Sequence, residues 1–310
     1  MERTIDISRR FYEKHVAPMI RERFAAHESR IAAGLAGEGS DCFGYDDLVS
    51  RDHDYGTGVC LWIPDEDMPV YGRQLAAAYQ ELTDRLGLRL SARLTERRGV
   101  MTIHDFYSNI LGIDCDTEAC VITAGDWERL DHTCLATAVN GEVFRDDTGA
   151  FSAFRTLLLS YYPDLVWRNR LAVELHRYAA ALQVNYARCM TRGDVVAAGM
   201  CRLQGLDAAM NLYFLLIREY PPYYKWTYRR LTERDTEGIF SGLIRELSEA
   251  GCDTSVWAGK PYRPDYPNMS DPVVMLSERI AGVIVSLLRK NGLTDSLDPY
   301  LERYVDEVMR

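Results

Sequence analysis

The sequence predicts an α+β fold, with a sheet-bearing first part at residues 1–149 and a helical second part at residues 150–310. Three observations predict it. The apolar run Val59-Cys60-Leu61-Trp62-Ile63 reads as a buried strand; strand and helix patterns alternate around it; and from Ala150 onward the apolar residues recur mainly at helical intervals.

Each element follows from its own letters. Tyr12, Val16, Met19 or Ile20 and Phe24 gather on one face of a first helix starting near Ser8. After the apolar strand, Leu75, Tyr79, Leu82 and Leu86 make a second helical stripe, and Gly87 stands where a left-handed helix end favours glycine. Leu88 to Leu94 alternates apolar with polar at first, as a half-buried strand does, and Gly99 to Phe106 reads as a further strand. Thr133 to Val139 is strand-like too. In the second part, Pro163 opens a helix carrying Leu171, Leu175, Tyr178, Leu182 and Tyr186. Asp194 caps the next one, with Met200, Leu203, Met210 and Phe214 as its stripe and Pro221-Pro222 closing it. Further helices are expected around Phe240–Leu247, Ile280–Leu288 and Leu301–Val308, with an ordered loop from Asp253 to Pro272.

Composition narrows the class. A chain of 310 residues, 47% hydrophobic and 26% charged, has the make-up of an ordinary globular protein. It contains no apolar run of membrane-spanning length, and Met1-Glu2-Arg3-Thr4 does not begin a secretory signal pattern, so cytoplasmic residence and no membrane partner are expected. Eight cysteines without a Cys-x-x-Cys pair argue against zinc and for reduced thiols, although Cys115 and Cys120 are near enough in sequence to meet. A net charge of −10 argues against a broad electrostatic grip on nucleic acid. Neither a Gly-x-Ser-x-Gly elbow nor a complete Gly-x-Gly-x-x-Gly loop is present, since Cys42 stands where the third glycine belongs.

The most informative stretch runs from Gly39 to Gly56. Gly39-Ser40 is followed after eleven residues by Asp52-His53-Asp54. If Asp52 begins the strand that continues into Val59–Ile63, both carboxylates point to one face and His53 to the other. Two such oxygens suit Mg²⁺, which takes one or two carboxylates and completes its shell with phosphate and water. A glycine-serine turn lets backbone N–H groups approach phosphate oxygens. Arg51 and Arg73 are candidate phosphate contacts. Asp46 and Asp47 are expected to shape the turn after Gly44. Arg170 and His176 lie six apart on a predicted helix and so point to different faces.

The strings Gly39-Ser40-Asp41, Phe43-Gly44-Tyr45-Asp46-Asp47 and Ser50-Arg51-Asp52-His53-Asp54-Tyr55-Gly56 resemble the DNA-polymerase-β-like nucleotidyltransferase superfamily. Within it they are similar to a bacterial branch described only as a domain of unknown function. The likeness extends through Gly141–Asp146 and Pro222–Trp226. It implies a small mixed-sheet domain followed by a helical nucleotide- and substrate-binding domain. It also implies transfer of a nucleoside monophosphate, AMP from ATP or another NTP, to a hydroxyl of a small molecule or protein. On this reading Asp52 and Asp54 hold two Mg²⁺ ions, Gly39, Ser40 and Arg51 bind nucleotide, and Lys225 reaches the triphosphate from the helical domain. The family's third carboxylate has no obvious counterpart, because Met101, Thr102 and Ile103 fill the middle of the expected strand. Asp105 is the first candidate and Glu142 the second, with Asp146 a further alternative. The alternative function is a nucleotide-sensing or protein-binding module that has lost turnover; transfer onto RNA would need a continuous basic groove.

Overall fold

The computed structural model describes residues 2–50, 56–88, 97–263 and 265–310. The fold is α+β, with two compact units, Met1–Tyr161 and Tyr162–Arg310. Among the described residues no helix is long and apolar enough to cross a membrane.

The first unit carries a four-stranded mixed sheet. Its strands are β1 (Ala32–Leu35), β2 (Cys60–Ile63), β3 (Gly99–Thr102) and β4 (Glu142–Arg145), in the order β3-β2-β1-β4. β1 runs antiparallel to both β2 and β4, and β2 parallel to β3. Every residue of β2 is buried, which is why it reads as an unbroken apolar run rather than an alternation. Leu61 and Ile63 face a core built from the first helix and α3 (Arg73–Arg85), including Val16, Ile20, Leu75 and Leu82. On Trp62 stacks Phe151, ring centroids 3.8 Å apart. Phe151 belongs to a helix, Ala150–Leu159, that the sequence assigns to the second part; packing joins it to the sheet.

The first helix is continuous from α1 (Thr4–Phe11) through a π turn at Tyr12–Val16 to α2 (Ala17–Arg23). It starts at Thr4 rather than near Ser8 because its cap comes from far away. Asp46, 42 residues on, accepts from the Thr4 N–H at 2.7 Å and hydroxyl at 2.6 Å. α3 ends at Leu86 with Gly87 at φ +67, as expected, although Leu86 itself is exposed.

One expected strand is cut short and another becomes helix, and in each case a cap decides. β3 stops at Thr102, whose Oγ1 accepts from the Asp105 N–H at 2.9 Å and starts α4 (Ile103–Leu111). The run after Asp131 forms a helix, His132–Ala138, whose first turn is capped by the Asp131 carboxylate accepting from the Thr133 N–H at 2.7 Å. Two further helices of this unit, Ala124–Arg129 and His132–Ala138, are α5 and α6, and Ala150–Leu159 is α7. The expected strand at Leu88–Leu94 falls largely on residues outside those described.

The second unit is helical: α8 (Asp164–Tyr178) passes through a π segment, Ala179–Asn185, into α9 (Tyr186–Thr191). It is followed by α10 (Val195–Ile217), α11 (Tyr224–Arg234), α12 (Ile239–Glu249) and α13 (Pro272–Lys290). The stripe Leu171, Leu175, Tyr178, Leu182 and Tyr186 is buried, and Asp194 caps α10 through the Ala197 N–H at 3.0 Å. α10 corrects one expectation: Met200 and Leu203 are exposed. Small residues take the inward positions, with Ala198 fully buried and Gly205 so close to Leu182 that a Cβ would collide with its side chain. The loop before α13 is ordered around Asp271, which is fully buried. It accepts from Trp257 Nε1 at 2.6 Å, from the Tyr186 hydroxyl at 3.1 Å and from the Val273 N–H at 2.7 Å.

Gly205→Ala tests this packing. Helix propensity alone would stabilise the variant by about 1 kcal/mol. Overlap with Leu182 reverses the sign, so urea unfolding should show a net loss of about 1–3 kcal/mol.

Candidate functional site

The sheet's registers define one end. Gly34 pairs with Cys60, Leu35 with Glu142 and Cys60 with Gly99, so β1 leaves the sheet where β2, β3 and β4 enter it. The Gly39-Ser40 loop emerges there. Residues 56–59 lead into β2 at the same end, and Arg97-Arg98 precede β3 there.

The loop is tied down residue by residue. Gly37 donates its N–H to Asn140 Oδ1 and accepts from Asn140 Nδ2, each at 2.8 Å. Glu38 pairs with Arg97 at 2.6 Å. Gly39 has φ +126, and a Cβ there would run into the Asp41 carboxylate, so only glycine suits this position. The Ser40 carbonyl accepts from the N–H groups of Phe43 (3.2 Å) and Tyr45 (2.8 Å), closing a tight turn. Cys42 is buried against Ile5 and Leu35.

Beneath the turn lies a buried ion pair. The Arg98 side chain is 0% exposed and that of Asp41 5% exposed, and Arg98 Nη2 donates to Asp41 Oδ2 at 3.0 Å. Arg98 also donates to the Arg97 carbonyl at 3.1 Å and to Cys42 Sγ at 3.4 Å, while its Nε has no partner among the described residues. Burial works against the charge on Arg98, yet its neighbours, Cys42 and Asp41 foremost, hold it above its ordinary value. Burial pushes the Cys42 thiol well above its ordinary value, and the Arg98 charge opposes that shift.

The remaining acids of the loop are committed to structure. Asp46 caps α1, and Asp47 accepts from the Ser50 N–H and hydroxyl, each at 2.8 Å. Arg51, Asp52, His53 and Asp54 lie outside the described residues. Among those described there is no group of three or more His, Cys, Asp or Glu that could hold a metal ion. Asp41, Asp46 and Asp47 are thus each engaged within the protein.

The candidate third acids separate. Glu142 opens β4 at the loop end of the sheet, where Arg9 pairs with it. Asp105 is exposed in the first turn of α4, after β3 has ended at Thr102, the end of that strand away from Gly99. Asp146 lies beyond Arg145, which pairs with Ala33 toward that end, and accepts from the Ser152 N–H at 2.8 Å. His104 hydrogen-bonds Asp114 at 2.7 Å, which raises its pKa from 6.5. In the second unit Lys225 is exposed on α11, its Nζ 5.4 Å from the Tyr223 ring and 5.6 Å from that of Trp226. Arg170 lies over Tyr162 and His176 bonds Glu302, so the two serve different neighbours. Arg73 is exposed at the start of α3.

Sequence reasoning missed Arg98 and Asn140. Asp41 was visible only as part of the Gly39-Ser40-Asp41 string, and nothing in spacing links it to an arginine 57 positions away.

Residues 127–227 match a family described as a domain of unknown function (DUF4037). The match contains Glu142, Asp146 and Lys225 and does not reach the Gly39–Gly56 stretch. No curated protein and no solved structure matches the sequence.

Two measurements check the site. Asp41→Asn, which strands a buried guanidinium, should cost about 3–5 kcal/mol in urea unfolding, whereas Asp41→Leu with Arg98→Met should recover most of that loss. An unchanged midpoint for Asp41→Asn would show that the pair does not anchor the loop. By NMR, His104 should titrate above 6.5 and return toward it in Asp114→Asn. Because the folded-state value is raised, the pair stabilises fully below 6.5 and its contribution is lost as pH rises through that raised value.

Proposed function

We propose that this chain is a divalent-cation-dependent nucleotidyltransferase that moves a nucleoside monophosphate, AMP from ATP first among the candidates, to a hydroxyl of a small molecule or protein. The observation that carries the reading is the Gly39-Ser40 turn, fastened over a buried ion pair at the sheet end where β2 begins. A turn so held can present N–H groups to phosphate without rearranging, and preorganised donors are the largest source of catalysis in phosphoryl chemistry.

Asp52 and Asp54 would hold Mg²⁺, which when bound supplies charge neutralisation at the α-phosphate and lowers the proton affinity of the acceptor oxygen. Gly39, Ser40 and Arg51 would grip the outer phosphates, with Lys225 a further cation for them. Glu142 is favoured over Asp105 as the acid that positions or deprotonates the acceptor, because it shares the loop's end of the sheet. Arg9 would keep that carboxylate oriented.

One observation favours the second reading, a nucleotide-binding module without turnover: Glu142 is already engaged by Arg9. The two separate in one experiment. Full-length protein with labelled ATP and Mg²⁺ should bind nucleotide and transfer label across an acceptor screen. Asp52→Asn with Asp54→Asn should cut transfer by about 100-fold or more, and Glu142→Gln by roughly 10-fold or more. Metal-dependent binding with no product in any arm supports the module; no nucleotide binding at all sinks both readings.

A further inference from the structure

The proposed chemistry uses none of the eight cysteines. Cys42, Cys60 and Cys115 are buried in the first unit, but Cys189 and Cys201 are both partly exposed. They sit on successive helices, Cys189 in α9 and Cys201 in α10, which pack against each other. The connection is tight: the Cys189 carbonyl accepts from the Arg192 N–H at 3.1 Å and the Asp194 N–H at 3.0 Å, and Gly193 has φ +75. Leu182, seven residues before Cys189, meets position 205, four after Cys201, so the two cysteines lie on the facing sides of the hairpin within about one helical turn of each other. Cys189 is near enough to Cys201 to act on its thiol.

We propose that Cys189 and Cys201 form a reversible dithiol–disulfide modification site whose reaction partner is a low-molecular-weight disulfide such as oxidised glutathione. One protein thiolate attacks the small disulfide, forming a mixed disulfide and expelling one thiolate. The second protein thiolate then attacks the protein sulfur of that bond, forming Cys189–Cys201 and releasing the other half of the reagent. Two protein thiols are oxidised, one reagent disulfide is reduced to two thiols, and the two protons pass to those thiols. Burial first, and Cys189 second, push the Cys201 thiol up to about 11, which lowers its thiolate fraction. The product staples the α9–α10 hairpin across its turn.

Incubation of the full chain with oxidised glutathione, followed by alkylation and non-reducing tryptic mass spectrometry, tests this. The expected species joins Cys189–Arg192 to Gly193–Arg202, lighter than the two free peptides by the two hydrogens lost, and dithiothreitol separates them. Cys201→Ser should stop at a glutathione adduct on Cys189, and Cys189→Ser should form no link. Closing so short a loop should raise the Tm by about 5 °C. Separate alkylation of both cysteines, or an adduct of Cys201→Ser that never forms on Cys189, overturns the proposal.

Discussion

The first unit depends on a guanidinium–carboxylate contact placed where water does not reach. Arg98 and Asp41 are contributed by segments 57 positions apart, one entering β3 and the other leaving β1. Burying two charges is expensive, and such pairs seldom add much net stability. Their value lies in discrimination: any other arrangement of the loop leaves a charge in a low-dielectric interior without its counterion. The turn that carries Gly39 and Ser40 is therefore specified by what lies beneath it as much as by its own glycine.

This view also explains the density of acids between Gly39 and Gly56. Composition alone makes them look like a collective cation site. The described ones divide their labour instead: Asp41 neutralises Arg98, Asp46 caps α1 and Asp47 closes a turn onto Ser50. The proposed metal role is given to Asp52 and Asp54 alone, so that reading rests on fewer residues than the stretch first suggests.

Legibility followed the range of the forces involved. The α+β class, the buried β2 run, the Gly87 helix end and the Asp194 cap were visible because each is decided within a few residues. Thr133–Val139 was misread because β-branched letters favour strand while the preceding Asp131 starts a helix, and the cap prevails over propensity. Met200 and Leu203 were placed inward because size suggests burial, whereas α10 approaches Leu182 through Ala198 and Gly205. Of the candidate site, the turn could be located from sequence. Its supports, Asn140 and Arg98, could not, since each acts across long separations that no local pattern encodes.

The bond between Asp46 and Thr4 gives the molecule a property that neither partner has alone. A helix whose first turn is completed by a distant loop cannot wind fully until that loop has arrived, and the loop in turn lacks a mooring until the helix exists. The two segments consequently order as a single cooperative element. A change that displaces Asp46 therefore reaches the first turn of the opening helix by a hydrogen bond rather than through the sheet.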